Sequence, residues 1–259
     1  MSERLGVAII GTGTIANAHM RSLEHHAPAR VVAVYDVLHD RAEAFAQKWN
    51  IEVVASDLDK VLSRSDVDAV IVSTPPFAHM SPTIAALEAG KHVLCEKPFA
   101  FDPAEAEKMT EVAERTGKHL AVCSARQRVW AASRKAQELA SNGTLGDVYH
   151  VRSSAFRFRG RPGIDILRDT HWFIDHSRAG GGALIDIGVY QIDALLWILG
   201  NPKVTSVLCS TKMGIGDPAP APLVQDVEDH AVLMFTCEGG KSGILEITWS
   251  SNVSQVDQF

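Results

Sequence analysis

A chain of 259 residues, 46% of them apolar, has enough material to bury one large core or two modest ones. Its 25 basic and 31 acidic residues give a formal net charge of −6 and are evenly scattered. No basic face is left to follow a phosphate backbone, so nucleic acid is set aside as a partner. No stretch reads as long and apolar enough to span a bilayer, and Leu5–Ile10 is too short for a signal-peptide core. The four cysteines, Cys95, Cys123, Cys209 and Cys237, lie far apart in or beside strand-like runs, the pattern of buried thiols in a reducing cytoplasm. The expectation is a folded cytoplasmic protein that handles small molecules.

From Leu5 to about Val122, short apolar runs alternate with longer segments of helical period, the signature of a parallel sheet wrapped by crossover helices. Strands are predicted at Leu5–Ile10, Arg30–Tyr35, Ala69–Val72, His92–Cys95 and His119–Val122. Helices are predicted at Asp40–Trp49, Ser81–Ala89 and Asp102–Thr116, the last with Asp102 at the N-cap and Pro103 in the first turn. Gly90 and Gly117 follow two of these helices where a left-handed cap residue is wanted.

Beyond Arg128 the rhythm changes. A helix at Ala131–Ala140 and a strand at Val148–Arg157 lead into an irregular region rich in Arg, Gly and Asp. A helix at Leu184–Leu199 follows, and then three strand-like runs, Lys203–Lys212, Val227–Thr236 and Gly240–Ser250. No helical segment separates these runs, so a mainly antiparallel sheet is expected, with Gly214–Pro222 as an exposed loop.

Gly11-Thr12-Gly13-Thr14-Ile15-Ala16 directly follows the first strand and opens a helix, the context a GxGxxG/A dinucleotide fingerprint requires. Gly11 permits the tight turn, Gly13 lets the backbone approach a pyrophosphate, and Ala16 lets the helix pack close to the sheet. The helix N-terminus offers unbonded N–H groups to the anion. Asp36, ending the second strand, is placed to accept hydrogen bonds from an adenosine ribose and would repel a 2′-phosphate. That favours NAD. Arg41, one helical turn on, is long enough to reach a phosphate, so NADP stands as the alternative.

Three further segments resemble the Gfo/Idh/MocA family of oxidoreductases: Ser73-Thr74-Pro75-Pro76-Phe77-Ala78-His79, Glu96-Lys97-Pro98, and Gly180-Gly-Gly-Ala-Leu-Ile-Asp186-Ile-Gly188-Val-Tyr190-Gln-Ile-Asp193. Their order and spacing match the family across essentially the whole chain. The resemblance implies an α/β Rossmann domain over residues 1–124 and an α+β domain over 125–259 with a mainly antiparallel, open-faced sheet. It implies that Lys97 is the catalytic lysine, that Glu96 and Ser73–Pro75 line the cofactor groove, and that His79 stands near the cofactor. The proline peptide beside that lysine is often cis in the family. A sugar, polyol or cyclitol substrate and association into a homodimer or homotetramer through the sheet are also implied, as are further strands and a closing helix beyond Phe259.

In a helix over Leu184–Leu199, Asp186, Tyr190, Asp193 and Trp197 fall at i, i+4, i+7 and i+11, a narrow polar stripe on an apolar helix. Such a stripe faces a pocket or a satisfied network, because unpaired buried polar groups are costly. Where many family members carry His, this chain has Tyr190. It thereby resembles the branch with glucose-fructose oxidoreductase and the dihydrodiol and xylose dehydrogenases, in which a Tyr partners the Lys. The expected chemistry is proton transfer at Tyr190, with Lys97 stabilising the alkoxide and favouring the Tyr190 phenolate, and Asp186 orienting substrate or lysine. Arg126, Arg128, Arg157, Arg159, Trp172 and Asp193 are candidates for the substrate shell, with ion pairing at the domain junction the alternative for two of the arginines. His171 and His176 lack a further spaced ligand pair, so no metal site is expected. A catalytically silent sensor and an NAD-dependent glycoside hydrolase are the competing readings.

Overall fold

The computed structural model describes residues 4–24, 28–252 and 256–258, and the chain divides into two units, Met1–Cys123 and Ser124–Phe259. The first runs β1 (Leu5–Ile10), α1 (Thr14–Glu24), β2 (Ala29–Tyr35), α2 (His39–Trp49), β3 (Val53–Val54), α3 (Leu58–Leu62), β4 (Ala69–Val72), a 3-10 turn (Pro76–Ala78), α4 (Met80–Glu88), β5 (His92–Cys95), α5 (Pro103–Thr116) and β6 (Leu120–Val122). All its strand pairs are parallel, in the order β3-β2-β1-β4-β5-β6. Alternation along β1 supplies both faces of the sheet. Ala8 and Ile10 join Val70, Val72, Leu87 and Met109 on one side. Val7 and Ile9 join Ile71, Ala16, Met20 and Phe45 on the other.

The punctuation of α5 is as expected: the Asp102 carboxylate accepts from Glu105 N at 2.9 Å, and Gly117 closes the helix at φ 65°. Gly90 is left-handed too, at φ 77°. Two elements have no counterpart in the sequence reading, β3 and α3. A two-residue strand shows no period, and α3 is a single capped turn whose N-cap, Asp57, accepts from Lys60 N at 2.9 Å.

The second unit opens within a 3-10 segment, Cys123–Val129. It comprises α6 (Ala131–Ser141), β7 (His150–Phe156), a 3-10 turn (His171–Ile174), α7 (His176–Ala179), a π-turn (Leu184–Gly188), α8 (Val189–Ile198), β8 (Val204–Lys212), β9 (His230–Cys237), β10 (Ser242–Thr248) and β11 (Val256–Gln258). The sheet order is β11-β7-β10-β9-β8, with β7 and β10 parallel and the other pairs antiparallel. Ile187, Leu233, Leu245, Ile247 and Trp249 form the core on the covered face. The opposite face is open, with Val232 and Met234 of β9 exposed and Leu208 of β8 opposite Met234.

Three expectations are corrected here. The single helix expected over Leu184–Leu199 is a π-turn followed by α8, the wider i→i+5 bonding taking up the first turn. Cys95 and Cys237 are buried, but Cys123 is half-buried and Cys209 is exposed, because β8 has neither face covered. The run His176–Ile198 is apolar enough to cross a membrane by length and composition. Its apolar residues instead fill this unit's core: Ile187 and Ala183 in one cluster and Leu195 in another.

The glycine run before the π-turn allows a close backbone approach. A Cβ on Gly182 would collide with the backbone carbonyl of Glu228, while the Glu228 carboxylate accepts from Gly182 N at 2.8 Å and Leu184 N at 2.9 Å. Replacing Gly182 with Ala is expected to lower stability by about 1–3 kcal/mol through overpacking, measured by urea denaturation.

Candidate functional site

In an open parallel sheet, ligands bind beyond the carboxyl ends of the strands where the strand order reverses, here between β1 and β4. Gly11 sits there at φ 87°, and a Cβ on it would lie 2.8 Å from Thr74 N and 2.9 Å from the Ser73 carbonyl. The Ser73 hydroxyl donates to Gly11 O at 2.6 Å, drawing the two turns together. Thr12 donates to Asp36 Oδ2 through its N–H at 2.8 Å and its hydroxyl at 3.0 Å, and Leu38 N donates to Oδ1 at 2.9 Å. The buried Asp36 therefore ties the end of β2 to the glycine turn, and Arg41 Nη1 stands 4.0 Å from it.

Gly13 differs from Gly11. A Cβ on it would meet nothing within 4 Å, so nothing in the chain itself requires glycine there. The open cradle at the N-terminus of the eleven-residue α1 fits a pyrophosphate. Thr14 and Ile15 in the first turn are exposed, Ala16 is buried against the sheet, and Val37 and Leu38 stand exposed just past Asp36. That is apolar surface of the kind a flat base ring can cover. The residues present fit a dinucleotide.

Thr74, Pro75 and His79 organise the turn after β4. The Thr74 hydroxyl donates to Ala78 O at 2.9 Å, and Pro75 precedes the 3-10 turn. His79 is fully buried, with Nδ1 2.9 Å from Pro98 O and Nε2 2.8 Å from Thr74 O. It braces the turn after β4 against the one after β5. Burial holds its imidazole below the ordinary range, against the opposing pull of the Thr74, Pro98 and Phe99 carbonyls, so the neutral ring donates to one of its two carbonyl neighbours. The Lys97–Pro98 peptide is cis. Glu96 accepts from Lys97 N at 3.0 Å, and its Oε1 lies 2.8 Å from His19 Nε2. Burial pushes the Glu96 carboxyl up, but the His19 bond and the Lys97 N–H and charge outweigh it, and the net direction is down.

In the second unit, two arginines of the 3-10 segment lie on α8. The Arg126 guanidinium sits 3.9 Å from the centroid of the buried Tyr190 ring. Arg128 grips Asp193 with two bonds of 2.7 Å and lies 5.6 Å from the Trp197 ring. Arg128 and Asp193, both candidates for the substrate shell, are thus partners of each other. Asp186 Oδ2 accepts from the Trp249 indole at 2.9 Å, and Arg157 Nη1 stands 3.4 Å away. Arg159 faces Asp217 at 3.6 Å. Trp172 stacks on Phe173 at 3.8 Å and lines a pocket of about 310 Å³ with His171, Asp175, Arg178 and Asp226.

Sequence reasoning missed His19, Trp249, Glu228 and the pair of buried Arg161 and half-buried Asp165, joined at 2.8 Å. Only the spacing of His19, five residues after Thr14 on the fingerprint helix, carried a signal, since it points back toward the strand ends.

Residues 5–124 match the family described as GFO/IDH/MocA oxidoreductases with an NAD-binding Rossmann fold, and residues 133–259 match the GFO/IDH/MocA C-terminal domain. The chain belongs to this oxidoreductase family, and its cofactor is NAD. It is 34% identical to D-glucoside 3-dehydrogenase of Escherichia coli (strain K12), over 98% of this chain and 73% of that protein. It is 30% identical to 1,5-anhydro-D-fructose reductase of Ensifer adhaerens, over 80% of this chain and 60% of that one. Among solved structures, a protein of gentamicin A biosynthesis in complex with NAD superposes with a TM-score of 0.85 at 28% identity, covering 98% of this chain and 68% of the other. Levoglucosan dehydrogenase in complex with NADH and L-sorbose gives a TM-score of 0.84 at 26% identity, covering 98% and 69%.

Two outcomes follow from this geometry. Gly13→Ala should leave stability within about 0.5 kcal/mol of the parent and weaken NAD binding about tenfold or more, read by calorimetry, because only the ligand needs the space. His79 has a folded pKa below its unfolded value of about 6.5, so the stability from its buried neutral ring is complete above that pH and is lost as pH falls below it. Thermal midpoints from pH 8 to pH 5 should fall in the parent chain and fall less in His79→Gln.

Proposed function

We propose that this protein interconverts a secondary hydroxyl and a carbonyl on a sugar, polyol or cyclitol, using NAD. The observation that carries the reading is the cradle at Gly13, open where nothing in the chain demands glycine. The relatives supply the substrate class: their names specify a glucoside, an anhydrofructose and, at 29% identity, inositol, all rings or chains dense in hydroxyl groups.

When bound, NAD accepts or returns the hydride. Tyr190 takes the proton from the substrate hydroxyl during oxidation and returns one during reduction. A free phenol, with a pKa near 10, is a poor base at neutral pH, and a cation over the ring face favours the phenolate. Arg126 supplies that charge at 3.9 Å. Lys97 stabilises the developing alkoxide. Asp186, held by Trp249 and Arg157, orients the substrate by accepting from a hydroxyl.

Lys97→Met and Tyr190→Phe should each lower kcat by two or more orders of magnitude, an effect of about 3 kcal/mol, with NAD affinity nearly unchanged. Arg126→Gln should shift the acidic limb of the kcat profile for NADH formation to higher pH. The assay is NADH formation across a panel of sugars and cyclitols. Parent-like rates in the Lys97 or Tyr190 variants would remove those roles. Release of an aglycone without NADH accumulation would replace the reading with glycoside cleavage, and NAD binding with no turnover of any panel member would replace it with a sensor.

A further inference from the structure

Three metal-ligating side chains from three separate segments meet at the carboxyl edge of the parallel sheet. Cys95 pairs with Val122 in parallel register, so the residues that follow, Glu96 and Cys123, leave the ends of β5 and β6 side by side. His19 reaches them from the second turn of α1, its Nε2 2.8 Å from Glu96 Oε1. The imidazole nitrogen, carboxylate oxygen and sulfur all lie within 4.8 Å of one another. Among the described residues this is the one group of three His, Cys, Asp or Glu side chains that closes so tightly.

We propose that His19, Glu96 and Cys123 form a zinc-binding site whose occupation opposes NAD binding. Zinc bonds of about 2.0–2.3 Å in a tetrahedron place ligand atoms roughly 3.3–3.7 Å apart. The His19–Glu96 contact must open by about half an ångström and the longest separation must close by about one, within the reach of side-chain rotation. The donor set of one nitrogen, one oxygen and one sulfur selects zinc or cobalt over magnesium and calcium, which take oxygen ligands throughout. Glu96 and His19 are largely buried, with side chains 8% and 16% exposed, so the attraction is weakly screened. Binding forms one bond each to Nε2, a carboxylate oxygen and Sγ, releases the thiol proton to solvent, leaves water in the fourth position and changes no oxidation state.

The coupling to NAD rests on the crevice assigned above. The Lys97 charge helps hold the Glu96 carboxyl down, and a divalent ion on that carboxylate cancels its charge and sets a second cation beside the lysine, at the strand ends where the crevice runs.

The test titrates zinc chloride into the metal-free full chain by calorimetry and records the absorption spectrum of the cobalt(II) form. The expected result is one ion per chain, a near-ultraviolet thiolate-to-cobalt band, and loss of that band in Cys123→Ser with zinc affinity at least about tenfold weaker. The band should persist in Cys209→Ser, which removes the exposed thiol of β8. Saturating zinc should weaken NAD binding about tenfold in the parent and leave it unchanged in Cys123→Ser. A missing band, or one that survives Cys123→Ser, overturns the site, and NAD affinity indifferent to zinc overturns the coupling. Failure of the metal-free chain to bind NAD would instead overturn the crevice assignment, while the cobalt spectrum still judges the metal site by itself.

Discussion

Everything at the carboxyl edge of the parallel sheet depends on how closely the turn after β1 approaches the turn after β4. The backbone of Gly11 lies against Ser73 and Thr74 at a distance that no Cβ tolerates, and the Ser73 hydroxyl fastens the contact. The other turns register on that one. Asp36 binds the Thr12 N–H and hydroxyl, His79 joins the Thr74 and Pro98 carbonyls, and Glu96 holds His19. A cofactor crevice needs this stiffness because each backbone N–H aimed at an anion must be in place before the anion arrives.

The second unit solves a related problem with buried charge. Its central helix brings Asp186, Tyr190 and Asp193 toward the interior, and each meets a cation or a strong donor: Arg157 and Trp249, Arg126, and Arg128. The N-terminal N–H groups of the π-turn are met by Glu228, from a segment more than 40 residues away. Burying such groups singly would cost several kcal/mol each. Arranged as pairs they hold one helix in one rotation.

Much of this was legible beforehand where the information is local. The fingerprint at Gly11–Ala16, the cap pair Asp102 and Gly117 and the antiparallel bias of the second sheet all follow from short spacing rules. Less legible were features set by partners distant in sequence. Asp36 read as a ribose acceptor, yet the fold also uses it to secure Thr12. Arg128 and Asp193 read as separate candidates, and the fold joins them in one ion pair. The stripe on Leu184–Leu199 presumed an unbroken α-helix, and its first turn is a π-turn.

By itself the sequence determined the class of fold and the position of the nucleotide turn. Period, glycine placement and residue type are properties of neighbouring positions, and neighbours are what a sequence records. Only the tertiary structure decided which residues touch one another. It set Arg126 over Tyr190, used His79 as a brace, and brought His19, Glu96 and Cys123 to one point. The reason is geometric: strand register and helix rotation fix distances between residues tens of positions apart, and a small change in either selects a different set of partners.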